Sequence, residues 1–110
     1  MDGEDLREQF FWLAQILGAY LNQDYTICGP NLEDAVDAFI DDSTAEQIAK
    51  TRADIARFLD LKSNDLDAEL DRLTYGDHAR YPDMNAREYL LWLDGLLTEG
   101  LTRKAGRASP

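Results

Sequence analysis

Apolar residues along this chain recur at helical spacing. Phe10, Leu13, Leu17, Tyr20 and Leu21 follow one another at steps close to three or four, one face of a 3.6-residue period. Phe11, Trp12 and Ile16 lie off that stripe, so apolar surface wraps most of the way round the segment. A helix of this kind is expected to be enclosed on several sides. The stretch from Phe10 to Tyr25, FFWLAQILGAYLNQDY, is therefore expected to supply the central helix, within a first element from about Asp5 to Asn22. Gly18 costs that helix roughly 1 kcal/mol relative to Ala and offers a neighbouring helix a place for close approach. Gln15 and Gln23 interrupt the run, which falls short of the roughly 20 apolar residues a bilayer span needs.

The pattern repeats along the chain. After a loop over 23–30, broken by Gly29-Pro30, Asn31 is placed to cap a second helix from Leu32 to about Asp42. Its inward face is Leu32, Ala35, Val36, Phe39 and Ile40. Ser43-Thr44-Ala45-Glu46 has the capping-box pattern and opens a third helix from about Thr44 to Leu61, with Ile48, Thr51, Ile55, Phe58 and Leu59 inward. Lys50, Arg52, Arg57 and Lys62 make this the most basic helix, suited to pairing with acids on its neighbours. Asn64 is placed to cap a fourth helix, about Asp65 to Leu73, with a narrow stripe of Leu66, Leu70 and Leu73. A second loop, TYGDHARYPDM over 74–84, leads to Asn85-Ala86-Arg87-Glu88, a further cap-then-Glu pattern. The fifth helix has Leu90, Leu93, Leu96 and Leu97 as core and Tyr89 and Trp92 flanking, and it is expected to weaken at Gly95 and Gly100. Residues 102–110, TRKAGRASP, read as a disordered basic tail after a single domain over 1–101. No alternating β-branched run and no repeat occurs. The expected fold class is all-α, a compact bundle of about five helices.

Charge adds the most to this picture. The 110 residues carry a formal net charge of -11. Residues 1–49 hold eleven acids against the single base Arg7, while the tail has three bases and no acid. This argues against nucleic acid and anionic membrane surfaces as partners, since both call for a basic footprint. A cationic protein would instead be attracted, and its arrival accelerated. On the second helix Glu33, Asp37 and Asp41 stand four residues apart, with Asp34 and Asp42 beside them. Like charges at that spacing repel by a few tenths of a kcal/mol per pair. A helix that only had to fold would mix in lysines, so this row is the first candidate binding surface; Asp67 and Asp71 on the fourth helix are further candidates. The bland alternative is a solvated face that maintains solubility.

Catalytic chemistry is poorly represented. The one histidine, His78, lies in Asp77-His78-Ala79-Arg80, and the one cysteine, Cys28, precedes Gly29 in a loop. One Cys and one His do not make a zinc site without carboxylates. Asp65, Asp67 and Glu69 superficially suggest a calcium loop, but Leu70 and Gly76 stand where the loop needs Gly and Glu. No nucleophile-elbow, phosphate-loop or metalloprotease pattern is present. No catalytic residue, metal or cofactor is assigned. One cysteine and an acidic start without a signal-peptide pattern suit the cytoplasm.

Three segments in order resemble one family. They are Tyr20-Leu21-Asn22-Gln23-Asp24-Tyr25 after an aromatic helix, Leu32 to Phe39 in the second helix, and Arg87 to Leu93 after the aromatic-Pro pair Tyr81-Pro82. Over residues 10–97 the chain resembles the small all-helical immunity proteins of contact-dependent growth inhibition systems. Asn22 stands where members usually have His, and Tyr25 where they have Trp. The resemblance implies a cytoplasmic protein that binds the C-terminal toxin domain delivered by a neighbouring cell and blocks its active site; an inhibitor without catalysis is expected, a monomer more than a homo-oligomer. Such toxins are often nucleases, hence basic. Tyr20, Asp24, Tyr25 and Trp92 then read as fold residues, with binding on the acidic faces. The alternatives are an acidic helical adaptor for another basic protein and a small enzyme using Asp77, His78 and Asp83.

Overall fold

A computed structural model of the chain describes residues 7–21, 31–61, 65–74 and 84–108, with residue 74 and residues 105–108 described by their backbone alone. Within them lie five helices: α1 (Phe11–Ala19), α2 (Leu32–Asp42), α3 (Ala45–Leu61), α4 (Leu66–Thr74) and α5 (Ala86–Ala108). Residues 7–9 add a helical turn before α1, and no strand occurs among the described residues. The all-α expectation holds. None of these helices is long and apolar enough to cross a membrane.

Helix α5 organises the packing. It lies against α3 most extensively and also against α2 and α4, while α1 packs on α3 and α4. The centre is thus the last helix, where the sequence suggested the first. Tyr89, Leu90, Leu93 and Leu97 are buried on it. Helix α1 contributes Leu13, Ile16 and Leu17, but its opposite side carries Phe11, which is 49% exposed, and the half-buried Trp12. The predicted inward faces of α2 (Leu32, Ala35, Val36, Phe39, Ile40) and α4 (Leu66, Leu70, Leu73) are all buried.

The first helix is not continuous from residue 5 to 22. The chain turns at Phe10 (φ -123, ψ 49) and a new helix begins at Phe11. The cause lies on α3. Asp54, almost fully buried, accepts hydrogen bonds from the Trp12 and Leu13 backbone N–H groups at 2.9 and 3.2 Å. These are N–H groups that a helix start leaves without an intrahelical acceptor. Arg57, one turn along α3, donates to the Gln9 carbonyl at 3.2 Å and to Asp54 at 3.3 Å. One acid and one base of α3 thus serve both sides of the break. Phe10 itself is fully buried, its ring edge-to-face with Phe58 at 5.0 Å.

Caps set the other boundaries. Asn31 N–H donates to Asp34 at the start of α2. The box that opens α3 is Thr44 with Gln47, at 3.1 and 2.8 Å, one residue later than the Ser43–Glu46 pattern suggested. Ser43 is occupied as the C-cap of α2. Asn85 and Glu88 form the expected reciprocal pair before α5. Asn64, the loop stretches over 23–30 and 75–83, Cys28 and His78 lie outside the described residues.

Helix α5 continues to Ala108, through most of the stretch expected to be a tail. Leu101 packs on the core edge, the Thr102 hydroxyl donates to the Thr98 carbonyl, and Arg103 reaches Asp37 of α2 at 3.5 Å. Gly100 does not end the helix. It is the crossing point with α2, where a Cβ would meet Ile40 Cδ1 at 2.7 Å and Cγ2 at 2.9 Å. Gly18, expected to permit close approach, has nothing within 4 Å of such a Cβ. The two glycines should therefore respond oppositely. Gly18→Ala is expected to raise stability by about 0.5–1 kcal/mol. Gly100→Ala is expected to lower it by about 1–2 kcal/mol, because overpacking against a stiff β-branched side chain outweighs the gain in helix propensity. Urea unfolding of both variants checks the pair; a Gly100→Ala protein as stable as its parent would mean that Ile40 yields freely.

Candidate functional site

The acidic candidates fall on two helices. Glu33, Asp34, Asp37, Asp41 and Asp42 belong to α2, Asp67 and Asp71 to α4, and these helices meet through α5 rather than through extensive contact with each other. Several of the acids have partners inside the fold. Asp34 caps its own helix. Asp37 is 3.5 Å from Arg103. Asp42 accepts the Tyr20 hydroxyl at 3.0 Å. Asp67 accepts the Ala86 N–H at 2.9 Å and so caps α5. Asp37, Asp41, Asp42, Asp67 and Asp71 remain exposed, and Glu33 and Asp34 half-buried.

The bases of α3 are largely engaged. Arg52 grips Asp94 of α5, Nε to Oδ1 at 2.8 Å and Nη2 to Oδ2 at 3.5 Å. That hydrogen bond pushes the guanidinium further above its already high ordinary value, against an opposing effect of burial. The pair clamps α3 to α5. Lys50 pairs with Glu46 at 3.6 Å, one turn back along the same helix.

Beside the α2 acids lies a feature the sequence did not single out as a site. The C-terminal end of α2, the start of α3 and the outer side of α1 enclose a groove of about 280 Å³. Trp12, Tyr20 and Phe39 give it aromatic walls, and Asp42 and Gln47 line its polar side. Tyr20 meets Phe39 edge-to-face at 5.4 Å. A second cavity of about 240 Å³ adjoins it along α1, lined by Arg7, Phe11, Ala14 and Gln15, and Gln15 borders both. Helix α1 thus places Phe11 in one concavity and Trp12 in the other. The available signal was the aromatic residue count of FFW and Tyr20; the pattern of burial on α1 concealed it, because a helix apolar all round reads as enclosed.

Among the described residues no group of three or more His, Cys, Asp or Glu side chains is arranged to hold a metal ion. His78, Asp77 and Asp83 lie outside those residues. Asp42 lines the aromatic groove, and the exposed Asp41 precedes it on α2.

A family model described as CdiI immunity protein matches residues 9–97, from the turn before α1 into α5. No curated protein and no solved structure matches the chain.

Proposed function

The chain belongs to the CdiI immunity protein family, and from that premise we propose that it binds and neutralises the toxin domain of a contact-dependent growth inhibition system. The toxin is a basic protein, in this reading a nuclease, and inhibition proceeds by covering its active site or substrate surface without catalysis by the inhibitor. The inhibitor acts in the cytoplasm as a monomer. The observation that carries this reading is the outer face of α2, where Asp37 and Asp41 are exposed and Glu33 is half-buried one turn before them. A net charge of -11 gives the whole molecule a field that draws in a cation. An acidic face set against a surface built for phosphates is complementary to it.

Co-expression with the toxin domain encoded next to the gene tests the reading. Growth rescue with a complex that co-purifies is the expected result; an active toxin that neither binds nor is silenced would break the link. The charge mechanism has its own test. Asp37→Lys with Asp41→Lys is expected to slow association about tenfold or more at low salt. The difference should shrink as salt approaches about 1 M, where the screening length falls to about 3 Å. Equal association rates at low salt would remove this face from the encounter. Asp37→Lys also breaks the contact with Arg103, but an exposed pair of this kind contributes at most about 1 kcal/mol, so the fold should persist.

A further inference from the structure

The groove between α1, α2 and α3, about 280 Å³, stands at the lower end of the range of ligand sites, which begins at roughly 300 Å³. It has room for one long side chain. We infer that it receives an arginine side chain of the toxin, with the guanidinium against Trp12 and Tyr20 and hydrogen-bonded to Asp42. This deepens the immunity reading above and rests on it for the identity of the partner.

Four observations carry the assignment. The walls are aromatic, and aromatic faces attract a cation, a planar guanidinium more often than an ammonium. The indole already shows this, since Lys50 Nζ lies 5.7 Å from the Trp12 ring centroid. Asp42 sits at the rim, and a carboxylate that accepts one hydroxyl, here from Tyr20, retains acceptor capacity for a forked donor. The groove also lies at the C-terminal end of α2, where backbone carbonyls add negative potential. The last turn of α2 holds Asp41 and Asp42 and no base, the reverse of what the helix dipole favours. Among the described residues neither acid forms an ion pair. A cation placed there relieves both the dipole and the repulsion. Aromatic and arginine anchors in small desolvated pockets are where interface energy concentrates.

Asp42→Asn keeps the size of the side chain and an oxygen for the Tyr20 hydroxyl, so folding should be unaffected; circular dichroism and thermal melting establish that. Two measurements follow. In the first, N-acetyl-arginine amide is titrated into the intact protein while the Trp12 and Trp92 indole N–H resonances are followed by NMR. Saturable movement of Trp12 alone is expected, in the millimolar range, with binding at least fivefold weaker for the neutral citrulline analogue and for Asp42→Asn. No saturable shift, or equal shifts with citrulline, overturns the groove as an arginine site. In the second, toxin affinity is compared for the parent, Asp42→Asn and Asp60→Asn, an exposed acid at the far end of α3. A drop of about tenfold confined to Asp42→Asn is expected for the loss of a charge-assisted contact. Unchanged affinity in Asp42→Asn with intact growth rescue overturns the groove and leaves the immunity reading standing. Failure of the parent protein to rescue overturns the immunity reading and, with it, the toxin as occupant.

Discussion

Asp54→Ala should destabilise the protein by about 2–4 kcal/mol. The substitution leaves the Trp12 and Leu13 N–H groups without their acceptor at a helix start that is largely shielded from water. It also takes from Arg57 its nearest acid. For a domain of this size the melting temperature should fall by about 10 °C or more. Asp54→Asn retains one acceptor oxygen and nearly the same volume, and should lose about half as much. Guanidinium unfolding of the two variants measures the difference. An Asp54→Ala protein within about 0.5 kcal/mol of its parent, the range of ordinary surface substitutions, would mean that water or the backbone satisfies those groups instead.

Phe10→Ala is expected to cost about 3–5 kcal/mol, the range for emptying an aromatic site in a core. Phe10 is fully buried, its ring rests edge-on to Phe58, and the Arg57 guanidinium carbon lies 5.0 Å from its centroid. Phe10→Leu fills most of the space and should lose about 1–2 kcal/mol. Since Phe10 and Phe58 share one space, the double alanine variant should lose less than the sum of the two single ones, with a coupling of about 0.5–3 kcal/mol. Strict additivity in denaturant titrations would show that the rings do not depend on each other.

Much of the helix pattern was readable along the chain, and the reasons differ by element. Helix α2 has one buried side and one wet side, so its period stands out and its limits, Leu32 and Asp42, follow from Asn31 and the residues around Ser43. The Asn85–Glu88 cap involves only neighbours in sequence and was equally plain. The break at Phe10 was not readable, because its cause sits 41 and 42 positions away on another helix. Nothing in the sequence marks Asp54, since an acid among apolar positions announces its partner only in three dimensions. The continuation of α5 past Gly100 was hidden likewise: a glycine that admits Ile40 and one that ends a helix look alike in one dimension. For the candidate surface, spacing alone put Glu33, Asp37 and Asp41 on one outward face. The engagement of Asp42 by Tyr20 and of Asp67 by the start of α5 depended on tertiary contacts.

The central place of α5 has a bearing on how the molecule comes into being. The helix on which α2, α3 and α4 converge is the last of the described elements to leave the ribosome. At about 5–20 residues per second, its 23 residues take on the order of one to five seconds to be made. During that interval α1 can pack on α3 and α4, but the sides of α2, α3 and α4 that α5 covers have no final partner. Arrival of α5 closes that window, so the packed core forms only after its last described helix has been made.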